Sequence, residues 1–230
     1  MTIISGEDTA FGKQLAHTDK EVRDAAFERL KRYFAAKGSQ LDEFDMMKIW
    51  KGLFYCFWMS DKPLVQQELA ENLAKVSLGM EGDIIWMYIQ CFWETLSREW
   101  MGLDRHRLDK YYLLMRRMFY YSLHSTFVRG WSDSALGRFT SVYTETVLNP
   151  TNFSSPDSLR IHVANIFVDE LIRLNVEVQK SEIESKSVPV TRLLCPILFY
   201  MSRTKDVRLF KHFQENTFEP LLNQAKKTET

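Results

Sequence analysis

One design recurs along this chain: a capping residue, then apolar side chains at helical spacing, then a glycine or proline that ends the run. Thr18-Asp-Lys-Glu21 has the spacing of a capping box, with Glu21 placed to reach back to the cap. Val22, Ala26, Leu30, Tyr33 and Phe34 follow three or four residues apart, and Gly38 stops the run. The same reading predicts helices over 42–59, from Pro63 to Gly79, over 83–100 closed by Gly102, and from a cap at Asp104 to about residue 128, ended by Gly130. Later helices are expected from Ser132 or Asp133 to Leu148, from Ser155-Pro156 to Leu174, and around 190–202 and 206–215. Pro196 either kinks the first of that last pair or marks its start. With only 9 Gly and 6 Pro the chain lacks the turns that an all-β sandwich needs.

The fold class expected is therefore all-α, an irregular α-solenoid of antiparallel helical hairpins in the manner of HEAT repeats. Residues 1–10 are read as a tail, 11–216 as one helical-repeat domain with a polar linker at about 177–189, and 217–230 as a second tail, frayed from Asn223. A faint repeat supports the solenoid: Cys56-Phe-Trp58 recurs as Cys91-Phe-Trp93. Coincidence in an aromatic-rich chain explains the echo equally well.

Composition narrows function by exclusion. Lys and Arg number 30, as do Asp and Glu, so the net charge is zero. A protein living mainly on RNA phosphates is usually basic overall. Three cysteines with no CxxC pair fit a reducing compartment. The N-terminus does not read as a secretory signal, and no window reaches the ~18 apolar residues of a membrane span. The five histidines are scattered, with no HxxxH pair, and phosphate-loop, dinucleotide and nucleophile-elbow motifs are absent. No cofactor, metal or small-molecule substrate is expected, and no catalysis.

Two aromatic runs stand out. Residues 48–64 read Lys48-Ile-Trp-Lys-Gly-Leu-Phe-Tyr-Cys-Phe-Trp-Met-Ser-Asp-Lys-Pro-Leu64, and residues 92–117 open on Phe92-Trp93 and close on Arg116-Arg117. Tryptophan beside Lys and Arg is the composition of a surface covered by a partner, yet interiors also use aromatics heavily. On a helix Trp50, Phe54 and Phe57 share one face and are expected in the core with Trp93, leaving Lys51 and Lys62 outside. Between Arg98 and Arg117 six bases outnumber three acids. Arg98, Arg105, Arg107, Lys110, Arg116 and Arg117 are the candidate partner- or RNA-binding residues, with Arg107 expected to be tied up internally by Asp109, two residues away.

These segments, with Phe92-Trp-Glu-Thr-Leu-Ser-Arg-Glu-Trp100 and Gly102-Leu-Asp-Arg-His-Arg-Leu-Asp-Lys-Tyr-Tyr-Leu-Leu-Met-Arg116, resemble the nucleolar ribosomal-RNA-processing protein one family. The likeness runs from about Phe11 to about Asp206 and is weakest between 118 and 190. It implies a non-enzymatic assembly factor of precursor large ribosomal subunits, needed for pre-rRNA processing and placed in the nucleus and nucleolus. It implies other large-subunit assembly factors as partners, with rRNA as a secondary contact. Many members carry a long charged C-terminal extension that is not seen here, so the resemblance does not carry over import or tail-mediated RNA contact; co-import with a partner would serve. A cytoplasmic helical-repeat adaptor remains the alternative from residue pattern alone. The basic cluster is interrupted by acids, which repel phosphates but can pair with a protein partner, so an acidic protein segment is the preferred ligand.

Overall fold

A computed structural model describes residues 13–152, 154–181 and 187–228. The tail expected at 1–10 and residues 182–186 of the expected linker lie outside the described residues. Among the described residues every regular element is helical: α1 (Lys20–Lys37), α2 (Glu43–Met59), α3 (Pro63–Lys75), α4 (Ile84–Glu99), α5 (Leu108–Val128), α6 (Asp133–Glu145), α7 (Asp157–Lys180), α8 (Val190–Leu193), α9 (Cys195–Met201), α10 (Val207–Phe213) and α11 (Glu219–Thr228). No described helix is long and apolar enough to cross a membrane.

The starts follow from local chemistry. Asp42 and Ser132 cap α2 and α6 by accepting from the backbone N–H groups of Asp45 and Ala135. The cap of α1 is Asp19 rather than Thr18, its carboxylate accepting from Glu21 N at 3.0 Å. Helix α5 begins at Leu108, later than the predicted start, because Asp104 builds a turn instead: its Oδ1 accepts from His106 N at 3.0 Å. Pro196 lies in the first turn of α9, so the predicted single helix over 190–202 is two, α8 and α9. Helix α7 continues six residues past Leu174 to Lys180, and the stretch read as a frayed tail is helical to Thr228.

Two compact units divide the chain, residues 1–121 and 122–230, the division falling within α5. In the first, α2 and α4 pack side by side and run the same way. Cys91 Sγ lies 3.9 Å from Glu43 O, Thr95 Oγ1 lies 3.9 Å from Met47 Sδ, and Tyr55 Oη donates to Glu99 at 3.1 Å. Trp50 is 1% exposed; its indole N–H donates to Tyr88 O at 2.7 Å, and its ring lies 4.6 Å from Tyr88 and 5.0 Å from Phe92. Helix α1 reaches α3 through Arg23, whose guanidinium pairs with Glu68 at 2.6 Å. The Cys-Phe-Trp echo does not superpose one helix on the next: Cys56 lies in the last turn of α2, Cys91 in the middle of α4.

The second unit pairs α7 with α10 and the π-helical turn that follows it. Arg208 meets Asp157 at 2.8 Å, His212 meets Asn165 at 2.8 Å, and Thr217 donates to Ala164 O at 3.2 Å. Buried Arg160 organises the loop before α7, donating to Ser155 O at 2.7 Å, Asn152 O at 2.7 Å and Asn149 O at 3.2 Å.

Candidate interaction surface

The aromatic run at 48–64 forms most of α2, the turn after it and the first residues of α3. Met46, Trp50, Leu53, Phe54, Cys56 and Phe57 make its buried face. A helix end leaves backbone carbonyls without partners, and α5 supplies donors for them. Lys110 turns inward, 6% exposed, and its ammonium donates to Trp58 O at 2.7 Å and Ser60 O at 2.8 Å. One residue on, Tyr111 donates to Phe54 O at 2.8 Å and lays its ring 4.7 Å from Phe54 and 5.2 Å from Phe57.

The charges around this clasp shift one another. Burial pushes the Lys110 amine down to about 8, the Arg107 guanidinium adds to that, and Asp61 and Asp104 oppose it. Burial also pushes the Cys56 thiol up to about 12, which makes it a poor nucleophile. Arg107 lies over the Trp58 ring, 4.6 Å from its centroid, and pairs with Asp104. That bond holds the Asp104 carboxyl below its usual range. Asp109 is not its partner: Arg107 lies in the turn before α5, and its guanidinium reaches back to Asp104 in the same turn.

The eight candidate cations therefore have different surroundings. Lys51, Lys62, Arg98 and Arg105 are exposed and, among the described residues, make no ion pair. Arg98 lies against Met47 Sδ at 3.8 Å. Arg107 and Arg117 are half-buried and paired, the second with Glu71 at 2.9 Å, and Arg116 is half-buried. Arg107 and Lys110 meet the end of α2, Lys62 stands in the turn that follows it, Arg98 sits at the α2–α4 seam, and Lys51 is exposed on α2. Trp93 is fully buried in α4.

Sequence reasoning missed the outer face of α2. Phe44, Tyr55 and Met59 are 69%, 46% and 67% exposed, on the side opposite Trp50, Leu53 and Phe57. A helix apolar on both sides is the signal, since a helix with one buried face is polar on the other. The clasp was also legible in part, for Lys110 stands four residues before Leu114, on the buried stripe of α5. No group of three or more His, Cys, Asp and Glu able to hold a metal occurs among the described residues.

The family model described as nucleolar protein Nop52 matches residues 6–230. Human ribosomal RNA processing protein 1 homolog B is 34% identical over 220 residues, covering 94% of this chain and 28% of the relative. Human homolog A is 31% identical, covering 93% of this chain and 46% of its own length. The Drosophila melanogaster homolog is 29% identical, covering 97% and 32%. The chain thus spans about a quarter to a half of the length of these relatives. With a family model matched along nearly its whole length, this chain belongs to the Nop52 nucleolar protein family.

Proposed function

We propose that this chain is a non-enzymatic assembly factor of precursor large ribosomal subunits, acting in the nucleolus as a helical scaffold needed for pre-rRNA processing. The observation that carries the reading is the family match over residues 6–230, joined by relatives named ribosomal RNA processing protein 1 homolog. The parallel pairing of α2 with α4 supports an irregular solenoid built from helical hairpins, because alternate helices of such a stack run the same way. The exposed cations Lys51, Lys62, Arg98 and Arg105 form its partner surface. Lys110, Arg107 and Arg117 contribute from behind, by fixing the start of α5 against α2 and α3, and half-buried Arg116 stands beside them in sequence. Its partners are other assembly factors, and rRNA is secondary: zero net charge gives no long-range attraction to a polyanion.

Sedimentation tests the reading. The tagged chain is expected to co-migrate with nuclear particles holding precursor large-subunit rRNA, and its depletion to accumulate unprocessed precursor. A chain that sediments free of such particles, or whose depletion leaves processing unchanged, refutes it.

A further inference from the structure

The sequence Thr18-Asp19-Lys20-Glu21 has the spacing of a capping box, yet the fold does not use it as one. Asp19 caps α1, and neither the Thr18 hydroxyl nor the Glu21 carboxylate makes a hydrogen bond among the described residues. His17, Thr18, Asp19, Lys20 and Glu21 are all exposed, and the first three precede the helix. Arg23 holds the backbone from beneath, donating to His17 O at 2.8 Å and Thr18 O at 3.0 Å, while the Thr18 side chain faces solvent. The first N–H groups of a helix have no partner within it, and the first intrahelical bond here, Arg23 N to Asp19 O, is long at 3.3 Å. Extending the chain as far as Glu21 therefore gives up few bonds.

A hydroxyl followed by carboxylates at the next residue and at the third is the pattern that an acidophilic protein kinase selects. Such an enzyme lines the groove downstream of the hydroxyl with basic side chains, and the charge pattern decides which chain binds. Ser39, Ser154 and Ser181 also have an acid three residues on. In each of these the fold already uses a group the kinase would need. Asp42, after Ser39, caps α2 by accepting from Asp45 N at 2.8 Å. Asp157, after Ser154, pairs with Arg160 and Arg208. The Ser181 hydroxyl itself donates to Val178 O at 2.7 Å. Glu21 is exposed and makes no ion pair among the described residues, so its charge is open to an incoming basic groove.

We infer that Thr18 is a phosphorylation site for an acidophilic serine/threonine kinase, with Asp19 and Glu21 as the carboxylates it recognises. Thr18 Oγ1 takes the γ-phosphoryl group of ATP. The new bond joins Oγ1 to phosphorus; the bond from that phosphorus to the β–γ bridging oxygen breaks, its electron pair leaves with ADP, and the hydroxyl proton passes to the base of the kinase. The product carries about two negative charges one residue before the cap of an 18-residue helix, where the helix dipole favours them. Lys20 is the cation that turns to the phosphate. Its side chain is 66% exposed and pairs with Asp24 at 2.9 Å and Glu68 at 3.1 Å. A phosphate is the stronger acceptor, so modification loosens the Lys20–Glu68 tie between α1 and α3. Arg23, buried, keeps its own pair with Glu68 at 2.6 Å. The inference goes beyond the proposed function and does not rest on it.

The test incubates the purified whole chain with a casein-type acidophilic kinase and ATP and maps the modified residue by mass spectrometry; the same mapping is made on the chain recovered from cells. Phosphate on Thr18 is expected in both. Glu21→Gln should lower the rate of labelling at Thr18 at least tenfold, and Glu21→Asp, which keeps the charge, should restore most of it. In the phosphorylated chain Lys20→Gln should raise the second pKa of the phosphate, followed by phosphorus NMR. Labelling confined to Ser39, Ser154 or Ser181, a Thr18 rate indifferent to Glu21→Gln, or Thr18 unmodified in cells overturns the site. A phosphate pKa unmoved by Lys20→Gln overturns the pairing with Lys20. Co-migration with pre-ribosomal particles is read separately, so the failure of either proposal leaves the other standing.

Discussion

Replacing Lys110 by methionine measures what the clasp between α5 and α2 contributes. The variant keeps a long unbranched side chain beside Phe57, whose ring centroid lies 5.7 Å from the Lys110 nitrogen, so packing changes little. Both carbonyls lose the ammonium. Ser60 O keeps a donor, the Gln66 side-chain amide at 2.8 Å. Trp58 O loses the donor described for it. A buried acceptor left unpaired costs about 1–3 kcal/mol, and a charged donor is worth more than a neutral one. Removing a buried charge returns part of that, which leaves an expected loss of about 2–3 kcal/mol. Urea unfolding followed by tryptophan fluorescence reads it as a lower midpoint at unchanged slope. The exposed control Arg105→Met should stay within about 0.5 kcal/mol. The effect carries a pH signature. The Lys110 amine falls from 10.5 to about 8 on folding, so between those values the unfolded chain holds more protons. Stability from this group therefore rises with pH from about 8 towards 10.5, and that slope should vanish in Lys110→Met. A loss below about 1 kcal/mol, or an identical pH slope in both proteins, would refute the clasp.

Phe54→Ala removes a ring packed on Tyr111 and should destabilise by about 3–5 kcal/mol in the same urea titration. Lys51→Glu should leave the urea midpoint within about 0.5 kcal/mol of the parent while lowering the fraction that sediments with pre-ribosomal particles. Arg160→Met strips donors from three loop carbonyls and should raise amide hydrogen exchange across residues 149–155 without melting α7.

Much of this helical order was legible in the sequence because caps and stops act locally. Asp42 and Ser132 begin helices with their own side chains, and Gly130, at φ 66°, ends α5 where a left-handed residue is needed. What failed also had local causes: Asp104 spends its carboxylate on a turn, and Asp19 caps α1 in place of Thr18. The surroundings of the cations were harder to read. Lys110 and Arg105 look alike as residues in a basic run; spacing to Leu114 hints that Lys110 turns inward, but the carbonyls it meets at the α2 terminus are set by tertiary packing. Arg107 is tied up internally, but through Asp104 in its own turn before α5 rather than through Asp109.

The pairing of α2 with α4 bears on how the chain is made. The Trp50 indole N–H donates to Tyr88 O, and its ring packs on Tyr88 and Phe92, all of them in α4. A ribosome adding ~5–20 residues per second takes about 2–8 s to pass from the end of α2 to the end of α4. During that interval the nascent helix has neither apolar side covered, the inner one awaiting α4 and the outer one lying bare even in the finished fold. The hazard of misassociation is thus concentrated in synthesis. A chain interrupted between Met59 and Glu99 would carry it permanently, because the ring neighbours of Trp50 on α4 would be incomplete or missing.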